Sequence, residues 1–222
     1  MSSFDFDYAL GLAPILLKYL DVTLWMASSS LIIALTIAVV LALVLTFRPK
    51  GLTALSELFI SFFRGTPLLV QLFLLYYGLP QLFPALKSMT AFQAAVIGLS
   101  LHFSAYMAET IRAAILSVDK SQLEAALSTG MTPLQGMRRI VLPQAARIAI
   151  PGLMNSFIDL LKSTSLAFTL GVAEIMAKAQ MEAASSFRFF ESYLVLALVY
   201  WLLVLLFTAL QKMAEQRMNE AY

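Results

Sequence analysis

The 222-residue sequence contains no cysteine and only one histidine, His102. Without thiols the chain can form no disulfide, and one imidazole cannot supply the His and Cys ligands of a zinc site. Charged residues are also scarce, at 13% of positions against about 25% in an average soluble domain. No stretch has the spacing of a phosphate-binding loop, G-x-x-x-x-G-K-[ST], so the sequence gives no sign of ATP hydrolysis by this chain.

Apolar residues are correspondingly abundant, at 60% of the chain. A helix needs about 20 predominantly apolar residues to cross a bilayer. Five stretches reach that length, the fourth only if it has a polar centre. We therefore predict an all-α, polytopic membrane protein with one domain over 1–222 and spans at about 20–47, 66–86, 89–116, 150–176 and 190–211.

The loops between these spans predict their orientation, because cytoplasmic flanks carry an excess of lysine and arginine. If the segments after spans one, three and five are inside, eight basic residues lie inside and four lie outside. The N-terminus is then outside and the C-terminus inside. The inner set is Arg48, Lys50, Lys120, Arg138, Arg139, Arg147, Lys212 and Arg217, and the outer set is Lys18, Lys87, Lys178 and Arg188.

The polar segment at about 118–147 has the signals of two short helices. Ser121 and Glu124 have the spacing of a capping box, and Gly130 can end the first helix in a left-handed conformation. On its residues alone, the segment is either a solvated connection or a docking element for a partner.

The second short helix is predicted to begin at Thr132 and to end at Leu142-Pro143. Thr132 and Gln135 form another capping box, and Pro133 between them suits the first helical position. The residue before a proline is disfavoured in a helix, which predicts the end.

One spacing in this segment is specific to a family. Glu-Ala-Ala is followed after three residues by Gly, after nine more by Ile, and after one more by Leu-Pro. The loop resembles the EAA loop of ABC importer permeases, with every spacing kept. The residues that carry the resemblance are Glu124, Ala125, Ala126, Gly130, Ile140, Leu142 and Pro143.

Three other runs are similar to the polar amino acid branch of that family, the histidine and glutamine type. They are FRGTPLLVQLFLLYYGLP at 63–80, SAYMAETIRAAILSV at 104–118 and KSTSLAF at 162–168. Within the branch, the chain is most similar to the L-cystine permeases of enteric bacteria. The resemblance therefore covers nearly the whole chain.

The resemblance implies a type I ABC importer permease core, which is a transport subunit and not an enzyme. It would carry a polar amino acid, L-cystine, across the bacterial inner membrane. The helix at 124–130 would sit in a groove of a separate ATPase dimer, which binds ATP and Mg²⁺, so this chain would bind no cofactor. The other implied partners are a periplasmic amino-acid-binding protein and a second copy of the chain or a related permease. The surroundings are the lipid bilayer, and no nucleic acid is expected.

Two charges lie near the middle of the fourth predicted span. Asp159 and Lys162 are three residues apart, so they lie side by side on one helix face, and Asn155 extends that face by one turn. A charge at the bilayer centre costs about 2.5–3.5 kcal/mol, so such residues usually face a pathway or pair with each other. We expect Lys162 to face the carboxylate of an amino acid and Asp159 its ammonium group. The alternative is an ion pair that only holds helices together.

A second polar stripe lies on the third predicted span. His102, Tyr106 and Glu109 follow one helix face, and Arg112 lies close by. These four residues are further candidates for the substrate pathway. The alternatives are a structural hydrogen bond for His102 and an interfacial ion pair for Glu109 and Arg112.

Two other classes of protein compete with the importer. A secondary transporter or channel without an ATPase would explain the spans and their charges, but it gives no reason for the loop's spacing. Secondary transporters also often contain internal repeats, which this sequence lacks. An intramembrane enzyme would need a nucleophile with a base, or a metal cluster, and one histidine with no cysteine leaves little material for either.

Overall fold

The computed structural model describes residues 4–220, and all the regular elements of that part are helical. The first three and the last two residues of the predicted domain lie outside the described residues. The α-helices are α1 (Phe6–Leu17), α2 (Leu20–Phe47), α3 (Leu52–Gly65), α4 (Leu68–Phe73), α5 (Leu79–Leu82), α6 (Ala91–Ser117), α7 (Lys120–Ser128), α8 (Pro133–Gly136), α9 (Leu142–Ser163), α10 (Ile175–Ser186) and α11 (Phe189–Glu220).

Three helices are long and apolar enough to cross a membrane without interruption: α2, α6 and the Phe189–Met213 part of α11. Two further candidates are bent pairs. Leu52–Gly65 and Leu68–Leu82 meet at 110°, and Pro133–Leu170 and Ile175–Ser186 meet at 54°. The fold thus has five candidate spans when each bent pair is one of them, and their limits in the membrane stay predictions.

The main core lies between α2 and α6, where one face of α2 carries small side chains. Ala27, Ala34, Ala38 and Ala42 are completely buried there. Small residues let two helix backbones approach closely, which replaces the hydrophobic driving force that is missing between helices in lipid. The hydroxyl of Ser30 also donates to the Val96 carbonyl across this contact, at 3.3 Å.

Two smaller clusters extend this core. One packs α1 against α10 and the start of α11, with Leu12, Leu16 and Ile175 at its centre. The other packs the end of α6 against the start of α9, through Ile115 and Val141 among others. The second cluster shows that α6 and α9 run antiparallel, since the end of one meets the beginning of the other.

The predicted stop at Leu142-Pro143 is wrong, because the chain stays helical from Pro133 to Leu170. A π-helical turn at Met137–Val141 links α8 to α9, and the Leu142 N–H bonds the carbonyl of Met137, five residues back. This wider turn shifts the hydrogen bonding just before Pro143, whose missing N–H then does not break the helix.

The fourth predicted span, 150–176, is also not one straight α-helix. It changes to a tighter 3₁₀ helix at Thr164–Leu170, and the chain turns at Gly171, whose φ is 93°. Glycine adopts this left-handed conformation without the steric penalty of a side chain. The Asp159 and Lys162 positions lie within the regular α9 part of the stretch.

Candidate functional site

The cytoplasmic loop predicted at 118–147 contains α7, and its N-terminal cap is Asp119 instead of the predicted Ser121. A carboxylate oxygen of Asp119 accepts the N–H of Ser121 at 2.8 Å. This hydrogen bond lowers the pKa of the Asp119 carboxyl, because it stabilises the charged form. Aspartate is as good a cap as serine, and it stands earlier in the chain. Gly130 follows the helix with a φ of 86°, as predicted.

Helix α7 is fixed to α8 by a close contact at Gly136. A Cβ atom on Gly136 would lie 2.8 Å from Cδ1 of Leu123 and 3.3 Å from Cβ of Ala126. Ala126 is therefore buried against α8, whereas Glu124 and Ala125 are exposed on the other side. The close packing of α7 against α8 depends on Gly136, which is not a residue of the predicted loop pattern.

The remaining residues of the loop pattern divide between packing and surface. Leu142 packs beside the end of α6. Ile140 and Pro143 line an open cavity of about 540 Å³ between α7 and α9. Within that cavity, the Gln144 amide donates to the side-chain oxygen of Gln122 at 3.4 Å. The pattern thus brings α7 and the start of α9 together as one unit.

Asp159 and Lys162 lie side by side on α9, as their spacing predicted, and they form the ion pair that was the alternative to substrate contacts. Lys162 Nζ lies 2.7 Å from Asp159 Oδ1, and the side chains are 61% and 53% exposed for Asp159 and Lys162. Asn155 is exposed on the same face of α9. This charged face lies in the predicted fourth span, where hydrocarbon would be an unfavourable surrounding. In the chain by itself, nothing among the described residues covers it.

Packing between α6 and α9 brings the two predicted polar stripes to the same height. A Cβ atom on Gly152 would lie only 2.7 Å from Cγ2 of Thr110, so these two residues mark where the helices touch. The helices are antiparallel, and one turn contains 3.6 residues. About one turn from the contact, Asn155 is therefore level with Tyr106, and a further turn brings Asp159 level with His102.

His102 and Tyr106 lie beside the 110° bend between α3 and α4. His102 Nδ1 lies 2.9 Å from Oε1 of Gln71, and its ring centroid lies 5.1 Å from that of Tyr106. The guanidinium carbon of Arg64, from the end of α3, lies 5.5 Å from the centroid of the Tyr106 ring, in cation–π range. Gln71 was not predicted.

Glu109 and Arg112, farther along α6, form the ion pair that was the alternative to a place in the substrate pathway. Arg112 Nη1 lies 3.4 Å from Glu109 Oε2, and both side chains are about one-third exposed. They line a cavity of about 190 Å³ together with Arg48 and Glu57. The position near the end of α2 fits an interfacial charge cluster at the edge of the span.

Glu174 is a second buried polar residue that the sequence analysis missed. Its side chain is completely buried, and Oε1 accepts the N–H of Ala177 at 2.9 Å at the start of α10. The hydroxyl of Tyr200 on α11 donates to Oε2 at 3.4 Å. Close by, the hydroxyl oxygen of Thr23 on α2 accepts the Ile175 N–H at 3.5 Å. Glu174 therefore joins the start of α10 to α11 just after the turn at Gly171, and the neighbouring Ile175 N–H adds a bond to α2. The only sequence signal was an acid inside a predicted span.

Metal chemistry finds no support in the part of the chain that the structure describes. No group of three or more His, Asp or Glu side chains there has an arrangement that could hold a metal ion. The polar groups are instead ion pairs and hydrogen-bonded amides, which suit the binding of charged or polar organic groups.

Comparison with known proteins gives a family match over most of the chain. The profile described as "Binding-protein-dependent transport system inner membrane component" matches residues 34–220. That range includes α7, the bend at Thr66-Pro67 and the charged face of α9.

Individual proteins agree with this match. The "Probable amino-acid ABC transporter permease protein PatM" of Vibrio harveyi is 64% identical over 219 residues, 99% of this chain and 98% of that protein. The "L-cystine transport system permease protein TcyL" of Bacillus subtilis is 40% identical over 222 residues, with 98% and 93% covered. The solved structure of "an amino acid ABC transporter with histidines" has 34% identity and a TM-score of 0.88, and the match covers 97% of this chain and 100% of that one.

Proposed function

Because the chain belongs to the family of inner-membrane components of binding-protein-dependent transport systems, we propose that it carries L-cystine inward, as one of two permease subunits of an importer. The coarser statement holds without the choice of substrate: the chain is a permease subunit of an amino-acid ABC importer, and a separate ATPase subunit hydrolyses ATP. The observation that carries the proposal is the helix pair at α7 and α8, which joins the loop pattern to the charged helix α9.

The role of α7 is to couple the ATPase to the spans. Its exposed side, with Glu124 and Ala125, enters a groove of the ATPase dimer, which binds ATP and Mg²⁺. Its other side is seated on Gly136, so movement of the ATPase reaches α8 and α9 directly. Gly130 fixes the end of α7, and Ile140, Leu142 and Pro143 hold the joint to α9.

The charged face of α9 lines the substrate pathway. An exposed Asp159–Lys162 pair in a span cannot rest against lipid without a penalty, so a second permease copy and water cover it. An amino acid zwitterion has one ammonium and one carboxylate. Asp159 faces the ammonium group, Lys162 faces the carboxylate, and Asn155 adds a hydrogen-bonding amide on the same face.

The polar stripe of α6 contributes to the same pathway. His102 and Tyr106 stand level with the α9 charges. Glu109 and Arg112 lie beyond them, at the cytoplasmic mouth. This arrangement supports a route with polar contacts in the centre and an ion pair at its exit.

Cystine fits the chemistry of two permease copies. It carries two ammonium and two carboxylate groups, and two copies of this chain present two Asp159–Lys162 pairs. The similarity to the cystine permease TcyL supports the choice, although PatM, which has no named amino acid, is more identical. This pairing of charges supports a homodimer over a pair with a related permease.

The importer also needs an orientation and outer partners. We place the N-terminus in the periplasm and the C-terminus in the cytoplasm, according to the basic residues of the loops. A periplasmic amino-acid-binding protein delivers the substrate at the outer face, and α7 meets the ATPase at the inner one.

The test is reconstitution of the permease with its ATPase and binding protein in proteoliposomes. We expect ATP-dependent uptake of L-cystine, and copurification of the ATPase that is lost in Glu124→Lys. The matched control is Asp7→Lys, another reversal of an exposed acid, which should keep the ATPase. Uptake that persists without the ATPase contradicts the importer. ATP-dependent uptake of a different amino acid, with none of cystine, contradicts only the substrate.

A further inference from the structure

The bend between α3 and α4 leaves a carbonyl group that the backbone cannot satisfy. In a helix, the carbonyl of Phe63 would accept the N–H of the residue four positions later, but that residue is Pro67, which has none. A buried carbonyl without a partner is costly in a membrane protein, where no water replaces the lost bond. Another group must therefore serve this bend.

The side-chain amide of Gln71 serves it. Gln71 Nε2 lies 3.0 Å from the Phe63 carbonyl oxygen, 3.1 Å from that of Thr66 and 2.8 Å from the Thr66 hydroxyl. The Gln71 residue is only 5% exposed, so these bonds are shielded from solvent. All three neighbouring oxygens accept, which assigns the NH₂ group of the amide to the bend and leaves Oε1 as an acceptor.

This assignment shows that the Nδ1 nitrogen of the His102 ring carries a proton. Gln71 Oε1 can only accept, so the hydrogen bond of 2.9 Å requires a proton on His102 Nδ1. In the neutral ring, Nε2 then carries the lone pair and is an acceptor. Across residues 4–220, no hydrogen bond of the described chain uses this nitrogen, and His102 is only partly buried.

We propose that Gln71 is a positioning residue for transport, which holds His102 so that Nε2 accepts an N–H from the ammonium group of the substrate. This inference rests on the proposed pathway between α6 and α9. An ammonium group has three N–H donors, so Asp159, on the facing helix at the same height, leaves donors free for an imidazole nitrogen. The Gln71 amide thus has two roles. Its NH₂ group bonds the bend of the second span, and its oxygen holds the His102 ring that contacts the substrate.

The test uses two amide substitutes for the ring. His102→Asn keeps a donor near the place of Nδ1 and removes Nε2, whereas His102→Gln puts an amide near the place of Nε2. We would measure equilibrium binding of radiolabelled L-cystine to the purified permease–ATPase complex without binding protein, and thermal unfolding of the same samples. We expect about tenfold weaker binding in His102→Asn, as for one lost hydrogen bond to a charged group, with unchanged unfolding and partial recovery in His102→Gln.

Gln71 is tested through its dependence on His102. Gln71→Leu should weaken binding in the wild-type background and have little further effect in His102→Asn, because both changes remove the same contact. Wild-type affinity in His102→Asn overturns the proposal and leaves the importer intact. A wild-type complex that binds neither cystine nor any other polar amino acid overturns the proposed pathway as well.

Discussion

Two ion pairs of the chain have the same length and opposite surroundings. In Asp159–Lys162 and in Lys178–Glu182, the nitrogen lies 2.7 Å from the nearest carboxylate oxygen, and each pair lies within one helix. The first pair is more than half exposed, although it lies inside a predicted span. The second is largely covered, with the Tyr19 ring 5.9 Å from Lys178 Nζ, although we place it beyond the outer end of that span.

This contrast shows which of the two ion pairs the single chain leaves uncovered. Charges in a membrane are normally turned toward protein, and the Lys178–Glu182 pair, although it lies beyond the predicted span, is already largely covered by its own chain. The Asp159–Lys162 pair lies within the predicted span and is uncovered in the single chain, which is why we propose that a second permease copy and water surround it.

The largest expected effect is on uptake when the two pairs are neutralised in turn. We expect Lys162→Met or Asp159→Asn to lower cystine uptake at least about tenfold, since each leaves one unpaired charge in the membrane and removes a substrate contact. Lys178→Met and Glu182→Gln should stay within about twofold of wild type. Initial rates in proteoliposomes measure both.

The double variant Asp159→Asn/Lys162→Met separates two roles for the first pair. Uptake stays low if the charges bind substrate, because no neutral pair replaces them. If uptake returns to the wild-type rate, the pair is only structural, and the contrast between the two pairs loses its functional meaning.

A second prediction concerns access of water to the α9 face. The chain contains no cysteine, so single cysteines report without background from this subunit. Asp159→Cys should react with a charged thiol reagent in the assembled importer, whereas Leu202→Cys on α11 should not, because lipid covers it. The Leu202 residue is 61% exposed in the chain, the same fraction as the Asp159 side chain. Labelling of Asp159→Cys as slow as that of Leu202→Cys would show that the α9 face is not a water-filled pathway.

The sequence predicted features that depend on neighbouring residues. The cap at Thr132 with Gln135, the left-handed Gly130 and the contact of Asp159 with Lys162 are all confirmed. Each needs only the geometry of one helix or one turn, which spacing along the chain determines. The choice of Ser121 as a cap was wrong because Asp119 offered an equally good oxygen earlier.

The missed residues depend on distant partners. From the sequence, Gln71 is only one more residue of a span. Its role depends on two contacts that the fold brings to its side chain, the α3–α4 bend at Nε2 and His102 at Oε1. From the sequence, Gly136 is only a residue of low helix propensity. The structure shows that Leu123 and Ala126 pack so close to it that a Cβ atom would not fit without a shift. Pro143 was predicted to end a helix. The π-helical turn before it shifts the backbone hydrogen bonds, so the helix continues although Pro143 has no N–H. The same arrangement precedes Pro80, where the Leu79 N–H bonds the Leu74 carbonyl, so Leu-Pro after a wide turn is compatible with a continuing helix.

The smallest expected effect is at the cap of α7. The Ser121 N–H lowers the pKa of the Asp119 carboxyl, which is this cap. The Asp119 carboxylate therefore stabilises α7 at pH values above the ordinary pKa of aspartate. This stabilisation is lost as the pH falls through the lowered pKa. Asp119→Ala should therefore speed amide exchange in α7 at neutral pH by a small factor. Wild type and variant should converge in acid, as measured by hydrogen–deuterium exchange. An unchanged exchange rate at neutral pH would contradict a stabilising cap.

The unbroken helical course from Pro133 to Leu170 makes α8 and α9 a lever arm. At about 1.5 Å per residue, Asp159 stands about 35 Å from the Gly136 end, where α7 contacts the arm. A tilt of about 5° about that end would move Asp159 sideways by about 3 Å, the length of one hydrogen bond. A proline that stopped the helix would have placed a loose joint in this arm. The π-helical turn avoids that joint, so in the proposed importer a small rotation at the ATPase would be enough to make or break the proposed contact of Asp159 with the substrate.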